Sequence, residues 1–349
     1  MPIPDANKLV DEAVGLGRAM FDSPLWDADE KKWRRHIDLD SGQVDASQHF
    51  YYDICNIYAL ARAMALSGQM ERFREGWLQA VGWLFWLVNS KGAIGYTSFD
   101  VTGPRDQYSF ALAPAALAEA HRLTGRPALL RKAGELFGAY RAAFPLGKVR
   151  NVQASNHFIL SALSLYRAAG QAAYLEAAQA EAEHLLAACR LAGGPAAGCF
   201  TDDQRLTAFP RHVYATWALV ELNHLRPDQR LQQACAQSMD WWRANQLADG
   251  GFYFFYDAQA GRWVDQTVYS VHQKGMLLLS AWEINRLCQG RFDEMIRRAM
   301  ATCDDPRWQY ASPEGWRLYR RSMPERSLVY SYELGWEILG HLLGTGWDQ

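Results

Sequence analysis

Helical patterning recurs along this chain at intervals of about fifty to sixty residues, and the segments open alike. They start near Gln48, Gln107, Ser155, Pro210, Gln266 and Ser327. Each begins with a polar or aromatic cluster: HFYYD, RDQYSF, SNHF, PRHVY, DQTVYSVH and SLVYSYE. Each then runs into an apolar stretch such as 58–65 or 158–165. A repeat of this length with helical periodicity means stacked helical hairpins. If the hairpins close into a ring, six polar-aromatic helix starts meet at one mouth.

The pairs read as 48–67 with 70–88, 107–124 with 127–144, 155–169 with 172–191, 210–225 with 228–246, and 266–289 with 291–303. A last helix, 328–343, has no following partner, and an N-terminal helix capped near Asp5 has no preceding one. Those two can pair and close the ring at six hairpins. Ser47, Ser155 and Asp265 sit at helix-start positions, and Pro210 falls in a first turn. Gly68, Gly125, Gly170 and Gly290 fall just past helix ends, where a left-handed residue is wanted. Loops between pairs alternate apolar and polar (Phe252, Phe254, Tyr256), which predicts short β-hairpins there. The expected fold is all-α, an (α/α)6 toroid with β-hairpin loops at the mouth, and residues 1–349 form one domain.

The 349 residues are 49% hydrophobic, enough for a large core, and the net charge of −2 gives no basic excess for nucleic acid. No apolar run reaches the ~18 residues of a membrane span. The N-terminus lacks a basic region followed by an apolar one, which points to a cytoplasmic protein. Six cysteines without a C-x-x-C pair read as free thiols in a reducing compartment. The 14 Trp, 16 Tyr and 15 Phe fill cores, stack on sugar rings or line apolar pockets. Composition does not choose among these uses.

Among the histidines, His157, His212 and His272 hold comparable places in three first helices. A mouth-facing His suits general acid–base work, since its pKa lies near neutrality. Asp53, Asp106, Asp202, Asp203, Asp265 and Glu333 lie at or near the same mouth. An inverting glycosidase needs two such carboxyls across a sugar. Each histidine or acid alone is more often a cap or a hydrogen-bonded scaffold residue. No G-x-S-x-G, P-loop, H-E-x-x-H or dinucleotide fingerprint is present, and no metal or cofactor is called for. Gln246-Leu-Ala-Asp-Gly-Gly-Phe252 resembles the Q-x-x-D-G-G-W repeat of terpenoid cyclases. One copy stands alone, and it reads as a turn with Gly at positive φ.

A wider resemblance follows from Tyr58-Ala-Leu-Ala-Arg-Ala63, Gln107-Tyr-Ser-Phe, Asn156-His157 with ALSLYRAAGQAAYLEAA, Pro210-Arg-His212 with Trp217-Ala-Leu-Val-Glu221, and DGGFYFFYDAQAGRWVDQTVYSVHQKGML. In order and spacing these resemble the N-acylglucosamine 2-epimerase superfamily of (α/α)6-barrel sugar epimerases and isomerases. The resemblance implies that one His removes the C2 proton of an opened sugar and another returns it. It gives His212 the acid–base role, with His157 and His272 near the sugar and Tyr330 at the place of the last catalytic group. Asn156, Tyr214, Trp217, Tyr332, Glu333 and the acids Asp53, Asp106 and Asp265 would line the substrate. The chain departs from the family pattern at Cys55, where an Arg is usual, at Tyr330-Ser-Tyr332-Glu333, where a second catalytic His is usual, and at Lys274, where an acid is common.

Three other readings share the toroid. A uronate lyase would use Asn156-His157 with Arg205 or Arg211 and Tyr214, and a hydrolase would use the acids. A cyclase of an apolar substrate would use the aromatics. A non-catalytic binder fits the missing Arg and His. The expected partner is a small molecule, with no nucleic acid or membrane, in a monomer or homodimer.

Overall fold

A computed structural model describes residues 5–47, 50–90, 104–146, 151–202, 205–264, 266, 274–312, 317–319 and 328–345. The helices are α1 (Ala6–Asp22), α2 (Phe50–Leu66), α3 (Arg74–Ser90), α4 (Pro104–Thr124), α5 (Pro127–Ala143), α6 (Val152–Ala169) and α7 (Ala172–His184). They continue with α8 (Phe209–Leu225), α9 (Gln229–Asn245), α10 (Lys274–Leu278), α11 (Ala281–Leu287), α12 (Asp293–Cys303) and α13 (Ser331–Leu343).

An inner ring closes on itself. The helix α2 packs on α4, α4 on α6, α6 on α8, α8 on α11, α10 on α13, and α13 back on α2. The outer helices α3, α5, α7, α9, α12 and α1 each back an inner partner, so the terminal helices α1 and α13 do close the circle. Burial follows from this. Inner α2 is buried on every side from Phe50 through Met64. Outer α12 buries only Met295, Ile296, Ala299, Thr302 and Cys303, one stripe at helical spacing. Among the described residues no helix is long and apolar enough to cross a membrane. All six cysteines are free thiols, and only Cys288 is more than marginally exposed.

Two devices hold the ring where apolar packing alone would leave its register loose. Across its interior, Glu221 on α8 receives Arg62 of α2 at 3.0 Å and Arg167 of α6 at 2.5 Å. Burial would raise the Glu221 pKa, but the two guanidiniums win and hold it at about 2. At the α10–α13 seam the backbones touch. A Cβ on Gly340 would collide with Gly275, and one on Gly275 would collide with the backbone of Glu337. The Glu337 carboxylate accepts the Gly275 and Met276 N–H groups at 2.8 and 3.0 Å, capping α10 from the neighbouring helix.

Several boundaries differ from the sequence reading. The start of α6 is capped by Asn151, whose Oδ1 accepts from Ala154 N. Ser155 lies inside that helix and donates to Glu181. The fifth inner helix is broken between α10 and α11, and its expected start, with Asp265 and His272, lies outside the described residues. Residues Leu328–Tyr330 are a strand paired with His36–Asp38, and the helix begins only at Ser331. Gly125, Gly170 and Gly290 have positive φ as expected, whereas Gly68 opens a 3₁₀ turn instead. The expected hairpin forms over Phe255–Asp257 and Arg262–Trp263, joined by Leu206–Ala208, which leads straight into α8. The Gln246 segment is indeed a turn. Gly250 has φ 97°, and the Gln246 side chain donates to Gly250 O and Met295 O.

Candidate active site

The starts of the inner helices bring a collar of aromatic groups around one imidazole. His157 is fully buried on α6. Its Nε2 lies 2.9 Å from the Tyr51 hydroxyl of α2, and its Nδ1 lies 3.1 Å from the Asn156 amide. The rings of Tyr108 (α4), Tyr214 (α8) and Trp336 (α13) lie 6.1–6.5 Å from it, centre to centre. Tyr51 in turn touches Tyr52, Tyr108 and Tyr332. Tyr52 packs closely against Tyr332, ring tilted, at 4.4 Å and meets Tyr330 at 6.1 Å. Tyr332 donates to Glu333 at 3.1 Å. Gln153, half-buried one turn before His157, donates to the Tyr51 hydroxyl at 2.8 Å. Asn151, the cap of α6, donates to Tyr108 at 3.2 Å. The N-terminus of α6 is thus the hub, held further by Asp202, which accepts from Val152 N and pairs with Arg211.

Burial controls the protonation states. It drives the His157 pKa down to about 3, so the imidazole is neutral at physiological pH. It also pushes the Tyr51 phenol well above the usual tyrosine value. The pair is therefore an uncharged phenol against an uncharged imidazole, with hydrogen-bonding groups but no fixed charge at its centre.

Asn156, His157, Tyr214, Tyr330, Tyr332 and Glu333 come together as one cluster. Tyr51, Tyr52, Tyr108, Gln153 and Trp336 complete it and were not singled out from the sequence. The HFYYD cluster was the available signal, but attention there fell on its acid. Asp53 turns the other way. Its Oδ1 accepts from Trp33 N at 2.8 Å, and burial raises its pKa to about 8 against the opposing effects of that bond and of Lys32. Trp217 lies deeper, bonded to Glu221 and packed on Tyr58 and Trp336. Asp106 falls in the first turn of α4, with its side chain outside the described set, as are His272 and Asp265.

His212 occupies a different neighbourhood. It is fully buried between α8 and the outer helix α9, stacked on Trp241 at 4.3 Å. Phe200 N donates to its Nδ1 at 3.2 Å. Its Nε2 sits 3.4 Å from both Cys199 Sγ and Thr207 Oγ1. Thr207 spends its own hydrogen on Phe200 O, so Nε2 of His212 carries the proton and donates. Both nitrogens are then committed to the scaffold, and burial, aided by the Arg211 charge, holds the pKa at about 3. None of the described contacts of His212 joins it to the collar around His157. Among the described residues no group of three His, Cys, Asp or Glu is placed to hold a metal ion.

No family model and no curated protein sequence matches the chain. Solved structures do. A D-mannose isomerase is similar over 99% of this chain and 99% of its own, with a TM-score of 0.74 at 12% identity. The cellobiose 2-epimerase of Bacillus thermoamylovorans matches over 95% and 99%, with a TM-score of 0.71 at 12% identity. An alpha-1,6-mannanase of a Salegentibacter species matches over 96% and 98%, with a TM-score of 0.65 at 12% identity. The chain has the (α/α)6-barrel fold of these enzymes, and at such identities the likeness is one of fold.

Proposed function

We propose that this chain is a sugar isomerase or epimerase that moves a proton at the carbon beside the carbonyl of an opened aldose. The observation that carries the reading is the buried, neutral His157 bonded to Tyr51 inside a collar of tyrosines. A neutral imidazole is what proton removal requires, and tyrosine rings with amide groups suit the faces and hydroxyls of a sugar. The fold supports it, since similar structures include a D-mannose isomerase and a cellobiose 2-epimerase. We read the whole ring as one catalytic unit, and its free thiols fit a reducing, cytoplasmic setting.

The test follows hydrogen rather than product alone. Purified protein is incubated with D-mannose, D-glucose or cellobiose deuterated at C2 and watched by NMR. Loss of deuterium from C2, with a ketose or 2-epimer appearing, supports the reading. A mannan cleaved to new reducing ends, or a uronate polymer giving an ultraviolet-absorbing unsaturated product, while C2 deuterium stays in place in every sugar, would replace it with a hydrolase or a lyase.

A further inference from the structure

We propose that Tyr51 is the catalytic acid–base group and that His157 works behind it as its proton partner. Asn156 is then the positioning residue that sets the imidazole tautomer. This rests on the isomerase-or-epimerase reading and narrows it to aldose–ketose isomerisation.

The geometry places His157 to exchange protons with Tyr51. The imidazole is completely buried, and both its nitrogens are engaged, one by Tyr51 and one by Asn156. The Tyr51 hydroxyl joins its Nε2 to the half-buried Gln153, and the Tyr51 ring touches the half-buried Tyr108 and Tyr332. Along these bonds a proton leaving Nε2 goes to the Tyr51 oxygen.

Two proton arrangements fit the chain Gln153–Tyr51–His157–Asn156. With the Asn156 amino group toward Nδ1, the imidazole proton sits on Nε2 and points at Tyr51. With the amide turned, Asn156 Oδ1 accepts from Nδ1–H, and Nε2 accepts from the Tyr51 O–H. The Asn156 oxygen has no other hydrogen-bond partner among the described residues, so nothing pins it away from that role. The second arrangement is the working one, because Tyr51 can then accept a proton while giving its own to Nε2.

The step balances. In the open-chain aldose the C2–H bond breaks and its proton goes to the Tyr51 oxygen, as the phenol proton passes to His157 Nε2. The electron pair forms C1=C2, and the carbonyl oxygen becomes the oxyanion of a cis-enediolate. The proton on O2 then moves to O1 as C2=O forms. Tyr51 delivers its proton to C1 and recovers one from His157. The imidazolium exists only opposite the enediolate charge, which offsets its cost in a buried site. One acid–base group on one face returns the proton to the face it left. That relation gives a ketose, whereas inversion at C2 needs a second group on the opposite face. Tyr51 and His157 are both buried, so part of the hydrogen taken from C2 should reappear at C1.

The experiment uses the full chain and the C2-deuterated aldoses named above. In the wild type, deuterium appearing at C1 of a ketose is expected. Tyr51→Phe keeps the ring but removes a hydrogen-bond partner from His157 and Gln153, so the melting temperature should fall by no more than about 4 °C, while turnover per folded molecule falls by roughly 10²–10⁴. Asn156→Asp keeps an acceptor at Nδ1 and should retain turnover within about tenfold of wild type with a displaced pH profile, whereas Asn156→Ala loses about as much as Tyr51→Phe. A Tyr51→Phe protein that folds and turns over within threefold of wild type overturns the proposal. So does a 2-epimer as main product, or an Asn156→Asp variant no better than Asn156→Ala. Deuterium that never leaves C2 in the wild type would instead overturn the underlying reading.

Discussion

Replacing His212 by alanine separates a scaffold histidine from a catalytic one. The substitution removes a buried ring stacked on Trp241 and leaves the Phe200 N–H without its acceptor. An unsatisfied buried donor costs roughly 1–3 kcal/mol, and the cavity left by an aromatic ring adds about 2 kcal/mol or more. The combined loss is roughly 3–5 kcal/mol. Unfolding entropy of about 2.1 cal/mol/K per residue gives about 0.7 kcal/mol/K for a chain of 349 residues. The melting temperature should therefore fall by roughly 4–7 °C. Turnover per folded molecule should stay within about threefold, below the 10²–10⁴ expected for a lost acid–base group. His212→Asn, whose Oδ1 can take the place of Nδ1, should recover about 1 kcal/mol of the loss. The assay is calorimetry and turnover on the same purified variants. A variant that melts like wild type but loses a hundredfold in rate would refute the reasoning and return His212 to the chemistry.

Glu221→Gln should destabilise the ring by roughly 3–5 kcal/mol, because it leaves Arg62 and Arg167 buried without their common anion; urea denaturation measures it. Gly340→Ala should reduce soluble expression and thermal stability sharply, since its Cβ meets the Gly275 backbone, whereas Gly138→Ala, with open space, should not. Acid stability should follow the two buried histidines. Their folded pKa values, both about 3, lie below the ordinary histidine value of 6.5, so unfolding takes up protons and stability falls as pH drops from about 6.5 toward 3. Removing His212 should make that fall shallower, as melting temperatures across pH will show.

The ring was legible because its signal is local. Apolar periodicity and glycines after helix ends set the order of the hairpins, and the pairing of α1 with α13 followed from counting. What escaped depends on distant parts. The strand at Leu328–Tyr330 exists because His36–Asp38 lies beside it, and nothing in residues 328–330 announces that partner. The cap of α6 moved forward to Asn151, with Asp202 reaching the same helix end from another loop.

The histidines show how small an error of register changes a site. His157 is the sixth residue of α6, and His212 is the fourth of α8. Two residues are about 200° of helix rotation. Similar offsets from the apparent helix starts thus place one imidazole toward the barrel axis and the other against the outer helix. Tyr51 was missed because an aromatic at a helix start reads equally well as core. Only its bond to a residue more than a hundred positions away marks it.

The most direct measurement is a crystal structure with a bound hexitol, which mimics the opened sugar. The account predicts that the carbon equivalent to C2 lies about 3–3.5 Å from the Tyr51 hydroxyl oxygen, a distance from which proton transfer can begin, with His157 behind it and His212 untouched. A hexitol whose C2 lies against another acid–base side chain, with Tyr51 out of reach, would contradict it.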